Sequence, residues 1–283
     1  MNNKESEIHI TYKCPYNCVF CSVNKRKQTE PTTNEIKKNI KLSKKFTKLV
    51  FSGGEPLLRK DLIEIVGFAK KYQKNISIET NLSKLNQEEI DELITSGLSE
   101  IKISIHSNKS SLYKGITNSR SFRRVLQNLK LLKNYKGKIK VTTNTVITKY
   151  NYRHLNEIIK FIEDKIPFIS EIRISYPRFY PINNRKEYSK KYLVPLESIK
   201  KFIKDIKGKK VVFENIPLCI LNDNRAKKIN WNIKLIKHAK IIKGLEGRVY
   251  PPKCDKCKKK RECQGLHKYY TLYFRDDFVK PFT

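Results

Sequence analysis

The sequence predicts an α/β protein built on a parallel sheet, with a small cysteine-rich region at its C-terminal end. Strand-like and helix-like segments alternate from residue 6 to about residue 176, and such alternation implies parallel strands joined by right-handed crossovers. At 283 residues the chain is long enough for one large core with an appendage. Six strand–helix units fit either a doubly wound sheet or an incomplete barrel, and both place functional residues at the carboxyl ends of the strands.

The predicted strands are short and rich in isoleucine, valine and threonine, as buried strands should be. They are Glu7–Tyr12, Lys48–Ser52, Ile76–Thr80, Glu100–Ile105, Lys138–Thr148 and Glu171–Tyr176. The segments between them carry apolar residues at helical spacing. These predicted helices are Thr33–Phe46, Lys60–Tyr72, Gln87–Ser96, Ser119–Leu132 and Tyr152–Glu163. Residues 1–177 are therefore predicted to form the core domain.

The pattern changes after Pro177, and residues 178–283 are predicted to form a smaller C-terminal region on the core. Arg178–Tyr192 is polar and tyrosine-rich, which predicts a loop. A helix near Leu196–Ile206 and a strand at Lys210–Phe213 are predicted next. The chain is then heavily basic from Arg225 to Arg261.

Composition narrows the class of protein. A hydrophobic content of 39% with 31% charged residues fits a globular protein rather than a disordered one. No stretch approaches the length of a membrane span, and the N-terminus lacks a signal-peptide pattern, so we expect no membrane and a cytoplasmic location. The net charge of +34 fits a polyanionic partner such as RNA, or simply a lysine-rich surface.

The seven cysteines fall into two groups, three near the start and four near the end of the chain. A cytoplasmic protein has little use for disulfides, so close spacings of this kind indicate metal binding. Cys14, Cys18 and Cys21 follow the first strand directly. Three thiolates on a tight loop can bind three irons of a four-iron cluster and leave the fourth open to a small molecule. Zinc would require a fourth ligand, and the nearest candidate, His9, lies on the strand.

The spacing Cys-x3-Cys-x2-Cys, with Phe20 before the last cysteine, resembles the signature of the radical S-adenosylmethionine (radical SAM) superfamily. A second match, Gly53-Gly54-Glu55, ends the second strand. In that superfamily this segment receives the amino group of the methionine moiety. Glycines allow close backbone approach, and a carboxylate can pair with an ammonium group. The resemblance implies a partial (β/α)6 barrel over about residues 6–176.

Other strand ends resemble the superfamily more loosely. Thr80-Asn81 ends the third strand, and Ser104 and His106 lie at the end of the fourth. Asn144 lies on the fifth strand, at a position that often approaches the ribose of the cofactor in family members. The resemblance implies Ser104 and Asn144 as cofactor-binding residues, although each also fits an ordinary polar strand end.

The resemblance also implies the chemistry. A [4Fe-4S] cluster would bind S-adenosylmethionine, cleave it reductively and give a 5′-deoxyadenosyl radical that abstracts a hydrogen atom from the substrate. The reaction would need a reducing partner of the flavodoxin or ferredoxin type.

The C-terminal cysteines predict a second metal site formed by Cys219, Cys254, Cys257 and Cys263. Four cysteines suit structural zinc. The spacing Cys-x2-Cys-x5-Cys is also similar to the auxiliary-cluster segment of SPASM and twitch domains, which implies a second [4Fe-4S] cluster, and this interpretation is preferred over zinc. His267 is a further possible ligand.

Three functions follow from these motifs. The favoured one is radical modification of a peptide or protein, because SPASM and twitch domains often serve peptide maturation. The alternatives within the same class are modification of RNA, such as tRNA, or of a small molecule. A different class would be a non-catalytic zinc-binding nucleic-acid protein.

Overall fold

The computed structural model describes residues 5–21, 23, 28–177, 191–204, 206, 210–221, 234–237, 240–242 and 247–282. Most of the predicted loop 178–192 lies outside the described residues, as does residue 205 within the predicted helix 196–206. The start of the basic run, from Arg225 to residue 233, also lies outside them.

Seven parallel strands lie side by side in the order in which the chain reaches them. A doubly wound sheet has a point at which the strand order reverses. The order of these seven strands has no such reversal, so the sheet is of the barrel type. In the described sheet β1 pairs with β8 instead of with β7, and the barrel is therefore open. The predicted partial barrel is confirmed, and its seventh strand is the one that was predicted at Lys210–Phe213 as part of the C-terminal region. The strands are β1 (Glu5–Thr11), β2 (Lys48–Gly53), β3 (Ile76–Thr80), β4 (Glu100–Ser104), β5 (Lys140–Val146), β6 (Glu171–Ser175) and β7 (Val211–Glu214).

Helices connect the strands, and right-handed crossovers without a reversal place them on one face of the sheet. Side chains at the first residues of two helices explain where these begin, because Thr32 and Asn86 each form a capping box. The helix α4 is an addition to the predicted set. The helices of the barrel are α1 (Thr33–Ser43), α2 (Leu62–Lys70), α3 (Gln87–Thr95), α4 (Ser110–Thr117), α5 (Phe122–Leu131) and α6 (Leu155–Lys165).

The strands alternate between apolar and polar residues, which gives the sheet two different faces. The apolar positions lie under the helices and form the hydrophobic core, for example Ile8, Ile78, Ile101, Ile172 and Phe213. The positions between them carry polar or charged side chains on the concave face. Parallel sheets covered on both faces usually have continuous apolar strands, so this alternation indicates a hydrated interior.

Ion pairs and hydrogen bonds join neighbouring strands across the concave face. Lys102 on β4 pairs with Glu79 on β3 at 2.7 Å. Arg173 on β6 pairs with Glu214 on β7 at 3.0 Å. Ser175 on β6 donates to the Asn144 side-chain oxygen on β5 at 2.8 Å. These contacts satisfy polar groups that the open barrel would otherwise bury without partners.

The chain beyond residue 177 adds to the same sheet. The predicted helix and strand are confirmed as α7 (Leu196–Ile203) and β7. A short helix α8 (Leu218–Leu221) follows, then β8 (Lys234–Lys237), which pairs with β1, and β9 (Lys240–Ile242), which pairs with β8. The strands β10 (Arg248–Val249) and β11 (Leu266–His267) form a separate hairpin-like pair. The division into domains at residue 177 stays a prediction. Among the described residues, no helix is long and apolar enough to span a bilayer.

Candidate active site and second cysteine site

The N-terminal cysteines lie at the mouth of a cavity of about 240 Å³ enclosed by the concave face of the sheet. Cys14, Cys18 and Cys21 all line it, and each is partly exposed. They follow the carboxyl end of β1, the edge at which parallel barrels carry their functional residues. The structure therefore brings together the three thiols that the sequence predicted to act as a unit.

The loop that carries these cysteines is held by the C-terminal end of α4. The backbone N–H groups of Asn17 and Val19 donate to the carbonyl oxygens of Thr117 and Ile116, at 3.1 and 2.9 Å. Asn118 ends α4 in the left-handed conformation, and its side-chain amide donates to the Asn17 carbonyl at 2.6 Å. These contacts use carbonyl groups that a helix end leaves unpaired. Sequence reasoning missed α4 and therefore this support of the cysteine loop.

The Gly-Gly-Glu segment lies directly against the start of the cysteine loop. The N–H of Gly54 donates to the Thr11 carbonyl at 2.7 Å, and the N–H of Glu55 donates to the Lys13 carbonyl at 2.8 Å. A Cβ atom on Gly54 would collide with the Lys13 carbonyl oxygen. Gly53 has a φ of +120°, which favours glycine. Both glycines line the cavity, but the atoms that a Cβ would meet first belong to the backbone of Thr11 and Lys13.

Glu55 is fully buried behind the cavity wall, and its carboxylate connects the end of β2 to the end of β3. It accepts hydrogen bonds from the Thr80 hydroxyl at 2.7 Å, the Asn81 N–H at 2.7 Å and the Leu57 N–H at 3.1 Å. Burial raises the pKa of Glu55 to about 7, and these hydrogen bonds only partly oppose the rise. The predicted contact between Glu55 and an ammonium group stays a prediction.

Phe20 of the cysteine signature lines the cavity, and so do the looser candidates Thr80, Asn81, Ser104, His106 and Asn144. Phe20 meets the His106 ring edge to face, with centroids 4.7 Å apart. Burial lowers the pKa of His106 to about 3, so the ring is neutral at physiological pH. Its Nδ1 accepts from the Val146 N–H at 3.1 Å, which places the ring proton on Nε2. Ser104 and Asn144 are directly opposite each other on β4 and β5.

The donor set at this mouth suits an iron–sulfur cluster with one open iron. In the described lining, Cys14, Cys18 and Cys21 are the only cysteines that face the chamber, and Asn81 extends its amide to within 3.6 Å of the Cys14 sulfur. Among the described residues no group of three or more His, Cys, Asp or Glu side chains has the geometry to hold a single metal ion.

The four C-terminal cysteines also converge, in a much smaller pocket of about 20 Å³. Backbone N–H groups of Leu218 and Gly265 approach the Cys263 sulfur at 3.4 Å, and that of Phe282 approaches the Cys257 sulfur at 3.4 Å. Such donors stabilise negative charge on metal-bound sulfur. Burial, followed by the neighbouring Cys219, Cys263 and Cys257 thiolates, raises the pKa of Cys254 to about 11. Bound metal would relieve this crowding of charge.

His267 lies on β11 and does not line the described pocket of the four cysteines. Its Nδ1 accepts from the Tyr269 N–H at 3.3 Å, and its ring contacts that of Tyr269. The structure gives it a local packing role, and four cysteines remain the proposed ligands.

Several charged residues of the cavity wall were missed by sequence reasoning. The signal lay in the strand sequences themselves, because ESEIHIT, EIKIS and EIRIS place charges at every second position between isoleucines. This alternation predicted the strands, but the charged residues in it were not predicted to line a cavity. The charged lining residues are Glu5, Glu7, Glu79, Lys102, Arg173 and Glu214.

An open parallel barrel with three cysteines at its mouth and a Gly-Gly-Glu brace beside them defines the class: enzymes that bind a small cofactor at an open iron of a cluster. Residues 8–162 match the sequence profile of the Radical SAM superfamily, which covers more than half of the chain, and the chain belongs to this superfamily.

Curated relatives named GTP 3′,8-cyclase resemble the chain. A probable enzyme from Thermococcus kodakarensis is 28% identical over 68% of this chain and 62% of its own length. One from Methanocaldococcus jannaschii is 31% identical over 70% of this chain and 72% of its own length. The Listeria monocytogenes enzyme is 26% identical over 97% and 81%. The match spans only about three-fifths of the relatives from Thermococcus kodakarensis and Thermoplasma volcanium.

Solved structures show the same fold. Streptococcus suis SuiB bound to S-adenosylmethionine has a TM-score of 0.69 at 16% identity, over 98% of this chain and 77% of that one. SuiB bound to its precursor peptide SuiA has a TM-score of 0.64 at 14% identity, over 97% and 65%. At this identity the likeness concerns the fold alone.

The superfamily settles the class of function. The chain is a radical SAM enzyme whose cofactors are a [4Fe-4S] cluster and S-adenosylmethionine, and enzymes of this superfamily need a reductant. The alternative of a non-catalytic zinc-binding nucleic-acid protein is therefore wrong. Modification of RNA stays a prediction.

Proposed function

We propose that this radical SAM enzyme acts on a small-molecule substrate inside the 240 Å³ chamber, with Cys14, Cys18 and Cys21 holding the catalytic cluster. When bound, the cluster and S-adenosylmethionine supply a 5′-deoxyadenosyl radical that removes a hydrogen atom from the substrate. The observation that carries the proposal is the opening of all three thiols into a chamber walled by the polar face of the barrel.

The protein's own residues provide binding, orientation and shielding. The end of α4 fixes the cysteine loop, and the brace formed by Glu55 fixes the adjacent ends of β2 and β3. Gly53, Gly54, Ser104, Asn144 and Phe20 line the chamber and are the proposed cofactor-binding residues. The apolar layer between the helices and the sheet closes the outer face of the sheet and limits the access of water from that side.

The choice of a small molecule over a peptide rests on the relatives. The relatives described above are named for a reaction on a nucleotide, and one of them matches along nearly the whole chain. This support reverses the preference for a peptide that the cysteine spacing suggested.

The four C-terminal cysteines are proposed to hold a second [4Fe-4S] cluster. Their convergence in one pocket and the three N–H groups directed at their sulfurs support it. The flavodoxin or ferredoxin type of the reductant, and the cytoplasmic location, remain part of this proposal.

A peptide or protein substrate is the second candidate. It is favoured by the spacing Cys-x2-Cys-x5-Cys, whose three thiols the structure gathers with Cys219, and which is similar to the auxiliary segment of SPASM and twitch domains.

Anaerobic reconstitution with iron and sulfide, reduction with dithionite and chromatographic detection of 5′-deoxyadenosine test the proposal. We expect 5′-deoxyadenosine in the wild type and none above background in Cys18→Ala. A panel of metabolites and peptides then separates the candidates, because the substrate stimulates 5′-deoxyadenosine formation. Stimulation by peptides alone would overturn the small-molecule proposal, and failure of the wild type to form 5′-deoxyadenosine under any of these conditions would overturn the reaction class.

A further inference from the structure

The chamber has the opposite charge balance to the chain as a whole. The chain carries a net charge of +34. The described lining of the chamber nevertheless contains four carboxylates and two permanently charged cations. Among the described lining residues, acidic side chains therefore outnumber these two basic ones, although the chain as a whole is strongly basic. The carboxylates are those of Glu5, Glu7, Glu79 and Glu214, and the cations are Lys102 and Arg173.

Lys102 is covered by the carboxylate that it pairs with. Its side chain is 5% exposed, whereas the side chain of its partner Glu79 is 38% exposed. Burial opposes the positive charge of Lys102, but the carboxylates of Glu79, 2.7 Å away, and of Glu5 together leave the pKa of the lysine raised. The carboxylate of Glu79 is thus the more accessible member of the pair, and the ammonium of Lys102 is the more deeply buried one.

Arg173 is held in the same way. Its guanidinium donates to Glu171 through Nε at 3.3 Å and Nη2 at 2.9 Å, and to Glu214 through Nη1 at 3.0 Å. Only 13% of its side chain is exposed. Burial opposes its charge, yet the carboxylates of Glu214 and Glu171 raise the pKa of Arg173. A phosphate group entering the chamber would have to compete with two carboxylates for this cation.

Glu7 and Glu79 lie on the same side of the chamber, with Ser52 between them. The Ser52 hydroxyl donates to Glu7 at 2.6 Å, and His9 is 3.3 Å from the same oxygen. Phe51 on β2 pairs with Ile78 on β3. Ser52 and Glu79 are the next residues on these two strands, and they therefore lie side by side. We name the side chains of Glu7 and Glu79 the acidic wall. Both carboxylates line the same chamber from strands that β2 separates, and together they attract a cation and repel a polyphosphate.

We propose that the substrate group held in the chamber is cationic, a protonated amine or a guanidinium that pairs with the acidic wall, and that polyphosphates are excluded from it. This inference rests on the proposed function and specifies its substrate class. It separates this chain from a nucleoside triphosphate substrate, which the names of the relatives would suggest.

The test measures binding to the reconstituted holoenzyme with S-adenosylmethionine, by calorimetry, using agmatine as the cationic probe and GTP as the polyphosphate. We expect agmatine to bind more tightly than GTP. Glu79→Gln should weaken agmatine by about tenfold or more, because a charge-assisted hydrogen bond is lost. Glu92→Gln, on the exposed surface of α3, is the matched control and should leave both affinities unchanged.

Glu79→Gln removes the ion-pair partner of Lys102 and can therefore lower the stability of the protein. Glu7→Gln is the second variant, and thermal unfolding measures the stability of both. The inference is overturned if agmatine does not bind, if neither variant weakens it, or if GTP binds more tightly and displaces agmatine. Formation of 5′-deoxyadenosine is measured in parallel. Its presence without selective agmatine binding would remove this inference alone, and its absence would remove the proposed function.

Discussion

The N-terminal and C-terminal cysteine sites differ in how much of the coordination the chain supplies. The first offers three thiols at the mouth of a 240 Å³ chamber, and the second offers four thiols around a pocket of about 20 Å³. A three-thiol site leaves one iron available to a cofactor, whereas a four-thiol site is complete. The comparison teaches that the count of thiols and the space in front of them, more than the cysteines themselves, separate a catalytic site from a supporting one.

Removing single thiols should produce the largest difference between the two sites. We expect Cys18→Ala to abolish 5′-deoxyadenosine formation, a loss of at least about a hundredfold, because the catalytic cluster loses a ligand. Cys257→Ala should keep dithionite-driven cleavage of S-adenosylmethionine while iron falls from about eight to about four per chain. Iron analysis and chromatography check both variants. Equal loss of cleavage in the two would contradict the assignment of separate roles.

Adding one methyl group beside each site gives the next largest effect. Gly54→Ala would force a Cβ against the Lys13 carbonyl, and we expect a cost of about 1–3 kcal/mol together with loss of the N-terminal cluster. Gly265→Ala would bring a Cβ to 2.9 Å from the Val249 carbonyl oxygen at a φ of +63°, next to Cys263. Its effect should fall on the C-terminal iron only. Thermal unfolding and iron content report both, and a Gly54→Ala protein with full iron and unchanged stability would refute the close-approach argument.

Protonation of Glu55 should make the N-terminal site sensitive to pH. Its pKa is about 7 in the folded chain against 4.5 in the unfolded chain, so the folded state binds more protons between these values. The free energy of unfolding should therefore fall as pH rises from about 4.5 to 7, by up to about 3 kcal/mol, and then level off. Urea unfolding of wild type and Glu55→Gln across this range measures the difference. Parallel pH profiles in the two proteins would show that Glu55 makes no such contribution.

The smallest expected effect concerns the Asn81 amide near the Cys14 sulfur. Asn81→Ala removes a hydrogen-bond donor to sulfur, which should lower the reduction potential of the N-terminal cluster. The C-terminal cluster should keep its potential, and a redox titration followed by electron paramagnetic resonance distinguishes the two. An unchanged N-terminal potential would show that the 3.6 Å contact does not act on the cluster.

Local pattern was sufficient to predict most strands and both cysteine groups. The predicted strand at Ile76–Thr80 matches the observed one residue for residue, because isoleucine and threonine at alternate positions are unambiguous. The helix α4 was missed because SSLYKGIT is short, contains glycine and has no side-chain cap at its start. Its contact with Asn17 joins residues about a hundred positions apart, and no local pattern carries such information.

The cofactor motif shows a second limit of sequence reasoning. The role of Gly54 in admitting the Lys13 carbonyl depends on the register between β1 and β2, which composition does not reveal. The strand sequences show charged residues alternating with apolar ones. Whether the charged residues face a chamber depends on which face of the sheet the helices cover. Only the folded chain shows that Glu79 faces a chamber while Ile78 lies in the core.

The alternation of the strands also bears on evolvability. Because the isoleucine-rich face carries the hydrophobic core, residues on the concave face can diverge without disturbing that core, provided that the buried Lys102 and Arg173 keep carboxylate partners or change together with them. Ancestral duplication followed by drift at a few inward positions would then generate enzymes for new metabolites on an unchanged scaffold. For the engineer, the same separation makes the inward positions of β3 to β7 a compact library for directed evolution.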